Sequence, residues 1–169
     1  MITRICLAAV LAGVTIQAAK ADAGEPRFIE VHGDQYENAC TAGSLKKLKA
    51  DLHAQKVKSP AELFKAIHVL LCAPVTSTNQ RYISKVLMPF VDRAVDQTEE
   101  DPPGPVRVKS SELTPSDLFA QQVAYGLSVS RLHGSLEVGY QPDSVCIARK
   151  TFRYENRQWR LTALMAACE

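Results

Sequence analysis

The feature that most limits what this chain can fold into is a change of hydrophobic period at Gly126. Before it, apolar residues recur at helical spacing. After it, they alternate one by one. Leu45, Leu48 and Leu52 share one face of a helix predicted over residues 41–55. Ser59-Pro60-Ala61-Glu62 reads as a capping box with Pro at the first helical position. Leu63, Phe64, Ile67, Leu70 and Leu71 form the face that follows, and Cys72-Ala73-Pro74 ends it. A third helix is predicted from about Asn79 to Val95, kinked at Pro89. A fourth starts at Thr114-Pro115-Ser116-Asp117 and stops near Tyr125-Gly126.

Beyond Gly126, Leu127 and Val129 alternate with serines. Leu136, Val138 and Tyr140 alternate with Ser135, Glu137 and Gly139. Gln141-Pro142-Asp143-Ser144 is a turn. Residues 145–154 and 159–166 read as two longer strands. Arg27 to His32 suits a short additional strand in the lead-in. Helices first and strands afterwards define an α+β class: about four N-terminal helices packed on a C-terminal antiparallel sheet of three to four strands.

The N-terminus has the three-part layout of a secretory signal peptide. Arg4 precedes an apolar run from Ile5 to Ile16, and Ala21-Asp22-Ala23 places small residues before Gly24. The run is shorter than the ~20 residues a membrane span needs. Cleavage is therefore expected near Ala23, leaving residues 24–169 as one α+β domain in the periplasm or outside the cell, with no stable membrane insertion. Residues 1–23 take Arg4, Lys20, Asp22 and Cys6 with them, which leaves 18 basic residues, 17 acidic residues and four cysteines. Such a balance gives no general attraction to nucleic acid.

An even cysteine count in an exported chain predicts two disulfides. Cys40–Cys72 and Cys146–Cys168 are the expected pairs, since each lies within one local unit. The first would tie the start of the first helix to the end of the second. The second would cross the last hairpin. A three-residue loop, Asn156-Arg157-Gln158, places Cys146 directly opposite Cys168. A two-residue loop, Asn156-Arg157, offsets them by one residue unless a bulge intervenes. The three-residue loop is the expectation.

The hairpin Phe152-Arg153-Tyr154-Glu155-Asn156-Arg157-Gln158-Trp159-Arg160-Leu161 resembles the last hairpin of NTF2-like proteins, where a charged turn precedes Trp-Arg-hydrophobe. The resemblance implies helices on a curved antiparallel sheet with an internal pocket. It carries no catalytic residue onto this chain, and the four cysteines are no part of that pattern.

Signatures of chemistry are sparse. His32, His53, His68 and His133 do not pair at metal-ligand spacing. Neither a Gly-x-Ser-x-Gly elbow, nor a glycine-rich phosphate loop, nor a Cys-x-x-Cys pair occurs. No metal or other cofactor is expected. Arg149, Lys150, Arg153, Arg157 and Arg160 interleave with Phe152, Tyr154 and Trp159. A solvated strand face with packed aromatics behind it accounts for that better than nucleic-acid binding. Residues 92–101 hold five acids against one Arg and run into Pro102-Pro103-Gly104. Charge asymmetry of this kind suits protein–protein recognition. The expectation is a non-enzymatic binding protein of inhibitor or immunity type, acting on a periplasmic hydrolase or toxin. Glu99, Glu100, Asp101, Arg153 and Arg157 are the candidate contact residues. The alternatives are an NTF2-like small-ligand protein or enzyme, and an accessory subunit of the cell envelope.

Overall fold

A seven-stranded sheet packed against three helices is the frame of the molecule. The structure is a computed structural model and describes residues 27–29, 37–94, 104–132 and 134–168. The signal-peptide region, the acidic residues Glu99, Glu100 and Asp101, and His32 and His133 lie outside the described residues.

Helix α1 spans Ala42–Ala54 and helix α2 spans Pro60–Leu71. Thr41 caps α1 by accepting a hydrogen bond from the Ser44 backbone N–H at 3.1 Å. At α2 the expected capping box does not form. Ser59 is left-handed (φ 42°) and its side chain caps nothing. Its hydroxyl pairs instead with the Tyr154 hydroxyl, and Glu62 accepts the Trp159 backbone N–H. Tertiary partners on the last hairpin have taken both side chains that a local cap would use.

Helix α3 covers Ser77–Val86 and stops there. The chain continues as strand β2, Leu87–Ala94, so the second half of the expected third helix is strand. Pro89 decides this, because it has no N–H and disfavours the helical region for Met88. Its place in β2 follows from the same chemistry. The ladder to the next strand skips from Leu87 to Asp92, and pairing on the other side starts at Phe90, so Pro89 interrupts no ladder bond. Strand β3, Val106–Lys109, pairs antiparallel with β2. The expected fourth helix is a single turn, α4, Pro115–Leu118. Its capping box does form, with Thr114 and Asp117 bonded reciprocally. After it, the backbone N–H groups of Ala120 and Gln122 donate to the carbonyls of Leu70 and Leu71. These are orphan acceptors at the end of α2, and satisfying them replaces further helix.

Strands β4 (Tyr125–Leu132), β5 (Ser135–Gln141), β6 (Cys146–Glu155) and β7 (Gln158–Cys168) form the expected meander. The three-residue strand β1, Arg27–Ile29, adds to β4. The sheet order is β1-β4-β5-β6-β7-β2-β3, with β2 parallel to β7. The sheet is thus mixed and seven-stranded, where a purely antiparallel one of three to four strands was expected. Gly126, expected to end a helix, sits in β4 at φ 57° where the pairing to β5 slips between Tyr125 and Ser128.

Both expected disulfides are present, Cys40–Cys72 and Cys146–Cys168. The loop of the last hairpin has two residues rather than three. Asn156 and Arg157 are both left-handed (φ 50° and 64°), which is the geometry of a type I′ turn. A one-residue slip at Thr162, between the Thr151–Ala163 and Phe152–Leu161 pairs, then brings Cys146 opposite Cys168. The core lies between one sheet face and the helices. Leu48, Leu52, Leu63, Ile67 and Ile83 meet Val129, Leu136, Phe152 and Leu161, all fully buried. Among the described residues no helix is long and apolar enough to cross a membrane. Two formed disulfides place the chain in an oxidising compartment.

Candidate functional site

The helices cover the sheet's inner face only toward the end where Phe152 and Leu161 lie. Toward the Cys146–Cys168 end, that face opens into a cleft of about 560 Å³, roofed by α4 and the segment after it. Strand register builds its floor. Arg93 of β2 pairs with Leu164 of β7, Leu164 pairs with Lys150 of β6, and Lys150 pairs with Val138 of β5. Paired residues point to the same face, so Arg93 and Lys150 flank Leu164 inside. Tyr140 and Ala148 form the adjacent row.

Lys150 is the unusual member. It is 3% exposed, although lysine is almost never fully buried without a partner. Its ammonium stands 5.6 Å from the centroid of the Tyr140 ring. It makes no hydrogen bond or ion pair with any described residue. Burial pushes its pKa down to about 8, against an opposing pull from the Asp117 carboxylate.

That carboxylate is already engaged. One Asp117 oxygen takes the Arg93 guanidinium at 2.9 Å. The other accepts the Thr114 backbone N–H at 2.7 Å and the Thr114 hydroxyl at 2.6 Å. Burial opposes ionisation of Asp117, but the Thr114 bonds, Arg93 and Lys150 outweigh it and hold the carboxyl below its usual range. Tyr140 is pushed up to about 12 by burial and stays a neutral hydroxyl. Arg93 pairs with Asp117 and Arg149 with Glu137, so among the described residues the cleft keeps one unpaired positive charge, on Lys150. Around these groups the walls are mostly apolar: Phe119, Ala120, Val123, Ala148 and Leu164 among them.

A second, smaller cleft of about 230 Å³ lies at the opposite end of the same strands, between Lys58, Arg131, Tyr154 and Trp159. Its groups are engaged in the fold. The Trp159 indole donates to the Lys58 carbonyl at 2.7 Å, the Lys58 ammonium lies over Tyr154, and Arg131 reaches the Gln55 carbonyl.

Of the candidate contact residues read from the sequence, the two that are described, Arg153 and Arg157, do not line the larger cleft. Arg153 is exposed on the outer face of β6, with Glu155 at 3.4 Å, and Arg157 is exposed in the β6–β7 turn. His53 is exposed at the end of α1, and His68 stacks on Phe64. Among the described residues no group of three or more His, Cys, Asp or Glu is placed to hold a metal ion.

Sequence reasoning placed Lys150 on a solvated face and passed over Arg93 and Tyr140. A signal for Lys150 was present. It shares strand parity with Ala148 and Phe152, so a Phe152 in the core puts Lys150 on the inside. Neither a family model, nor a curated protein, nor a solved structure matches the chain.

Proposed function

We propose that this is an exported, non-enzymatic binding protein of NTF2-like architecture that takes a small ligand into the cleft above Lys150. The carrying observation is the buried ammonium with no hydrogen bond or ion pair among the described residues, facing a cleft of about 560 Å³. That volume lies in the range of small-molecule sites, which are concave, mostly apolar, and carry a few convergent polar groups. Helices on one face of a sheet, with an opening between them, support the NTF2-like reading. Binding is favoured over chemistry because Asp117 spends both oxygens on Arg93 and Thr114 and is not free as a general base. The two disulfides support export to the periplasm after cleavage near Ala23.

A second reading keeps a protein partner, as an inhibitor or immunity protein would have. Val123 at the cleft, and Val145 and Ile147 beside and on the strand that carries Lys150, are large apolar side chains between 42% and 53% exposed. They suit a contact that places an acidic side chain over Lys150, with Glu99, Glu100 and Asp101 engaging the partner's basic surface.

One experiment separates the two. Native mass spectrometry of the protein purified from the periplasm should show a small-molecule adduct. Ala120→Trp, which fills the cleft with an indole, should abolish it. A protein captured equally well by Ala120→Trp, and lost on charge reversal at Glu99, Glu100 and Asp101, would reject the small-ligand reading.

A further inference from the structure

The geometry points to a particular ligand class for this cleft: an amphipathic acid carrying a single negative charge, its carboxylate on the Lys150 ammonium and its apolar body along Phe119, Val123 and Leu164. The inference rests on the reading of the cleft as a small-ligand site and adds the chemistry of the occupant.

Three observations select the head group. A lysine that is 3% exposed, whose ammonium makes no hydrogen bond or ion pair among the described residues, lacks the partner that buried charges ordinarily have. The carboxylate closest to serving, Asp117, is saturated by Arg93 at 2.9 Å and by two bonds from Thr114. No described residue is therefore left to accept from Lys150, and we take that acceptor to be a ligand's. The charge required is one. Arg93 is paired with Asp117 and Arg149 with Glu137, and a dianion would meet the fixed Asp117 carboxylate across the cleft.

The body of the ligand follows from the walls. Ser116, Gln121 and Arg149 also line the cleft, but Phe119, Ala120, Val123, Ala148 and Leu164 form an apolar stretch of its wall. A polyhydroxylated body such as a sugar acid would leave hydroxyls unpartnered along that apolar stretch. An alkyl or aryl chain would gain about 25 cal/mol for each Å² buried. Tyr140, neutral and packed beside Lys150, offers its ring face to the ammonium and leaves the acid as the only anion in contact.

Among the described residues, the charged and titratable groups that line the cleft with Lys150 are Arg93 from β2, Asp117 from α4, Tyr140 from β5 and Arg149 from β6, which is paired with Glu137 at 3.4 Å; the part of β7 around Leu164 carries none. Asp117, held below its usual range, stays ionised and Tyr140 stays neutral between pH 6 and 10, so we assign pH dependence of binding in that interval to Lys150.

The test is isothermal titration calorimetry of the purified protein with four ten-carbon probes: decanoate, decyl phosphate, decanol and decyltrimethylammonium. Decanoate should bind one to one, and at least tenfold more tightly than the other three at pH 7. Its affinity should fall about tenfold or more between pH 7 and pH 9.5. Lys150→Met should weaken decanoate at least tenfold and leave decanol unchanged. Lys150→Arg should retain decanoate binding and remove its loss at pH 9.5. Decanol or the ammonium probe binding as tightly as decanoate, with Lys150→Met indifferent, overturns the acid head while leaving a ligand cleft in place. A preference for decyl phosphate overturns the single-charge argument. No binding by any probe, to the native protein or to either variant, overturns the acid ligand and the small-ligand reading together.

Discussion

Lys150 makes the stability of this protein depend on pH in an unusual direction. Its folded-state pKa is about 8 against an ordinary value of 10.5. Between these values the unfolded chain binds a proton that the folded chain does not, so stability rises with pH through that window. Below about pH 8 the full cost of the buried charge applies, roughly 3 kcal/mol from the size of the shift. Lys150→Met removes that cost and loses a cation–π contact worth about 1 kcal/mol. The variant should melt several degrees higher than the native protein at pH 7, at ~2–4 °C per kcal/mol for a chain of this size. The gain should shrink as pH rises and vanish above about 10.5. Calorimetric melting curves at pH 7 and pH 10.5 check this, and an equal or lower melting temperature for Lys150→Met at pH 7 would refute it. A residue that costs this much is retained for something other than folding, which is the residue-scale argument for a ligand. The parity of β6 makes its inward position legible. Its company is not legible, because Arg93 and Asp117 reach it from elements far away in the chain.

The elements show where local chemistry decides and where it yields. Alternation marks β4 to β7 correctly because each strand has one buried and one open face, so the two faces demand different residues. The run Val86-Leu87-Met88-Pro89-Phe90-Val91 satisfies a helical period as well as a strand; Pro89 stops the helix, and pairing with β7 and β3 makes the rest a strand. The capping boxes at Ser59 and Thr114 have the same sequence logic and opposite outcomes. Thr114 is open to solvent and caps its helix, while the Ser59 turn is held by Tyr154 and Trp159. The last hairpin carries a testable strain. A type I′ turn needs positive φ at both central positions; Asn156 tolerates this, whereas Arg157 at φ 64° does not do so readily. Arg157 is also exposed. Arg157→Gly should stabilise the protein by about 0.5–1 kcal/mol, read as a higher urea midpoint at unchanged slope. A lower midpoint would mean that the Arg157 side chain makes a contact that outweighs its backbone cost.

At the scale of the whole molecule, the two disulfides divide the work by region. Cys40–Cys72 closes 32 residues around α1 and α2, and Cys146–Cys168 closes 22 across the last hairpin. Loop-closure entropy gives about 3.5 kcal/mol for each, with the first larger by a few tenths. Replacing either pair by alanines should lower the unfolding free energy by about that amount. Urea denaturation of the Cys40→Ala/Cys72→Ala and Cys146→Ala/Cys168→Ala proteins measures it, and a loss below about 1 kcal/mol for both would contradict the account. Removing the second pair should also weaken decanoate binding, because Cys146 and Cys168 close the end of the strands on which the cleft lies. By itself the sequence determined that helices α1 and α2 precede the β4–β7 meander, the two faces of each meander strand and the pairing of cysteines within local units. Each of these follows from periodicity or from short chain separation. The tertiary structure alone decided that β2 lies parallel to β7, that the sheet extends to seven strands, and that Arg93, Asp117, Tyr140 and Lys150 converge on one cleft. Parallel pairing is set by which edges remain open after the meander forms, and burial is set by what distant segments cover. Neither leaves a mark on the residues nearby in the chain.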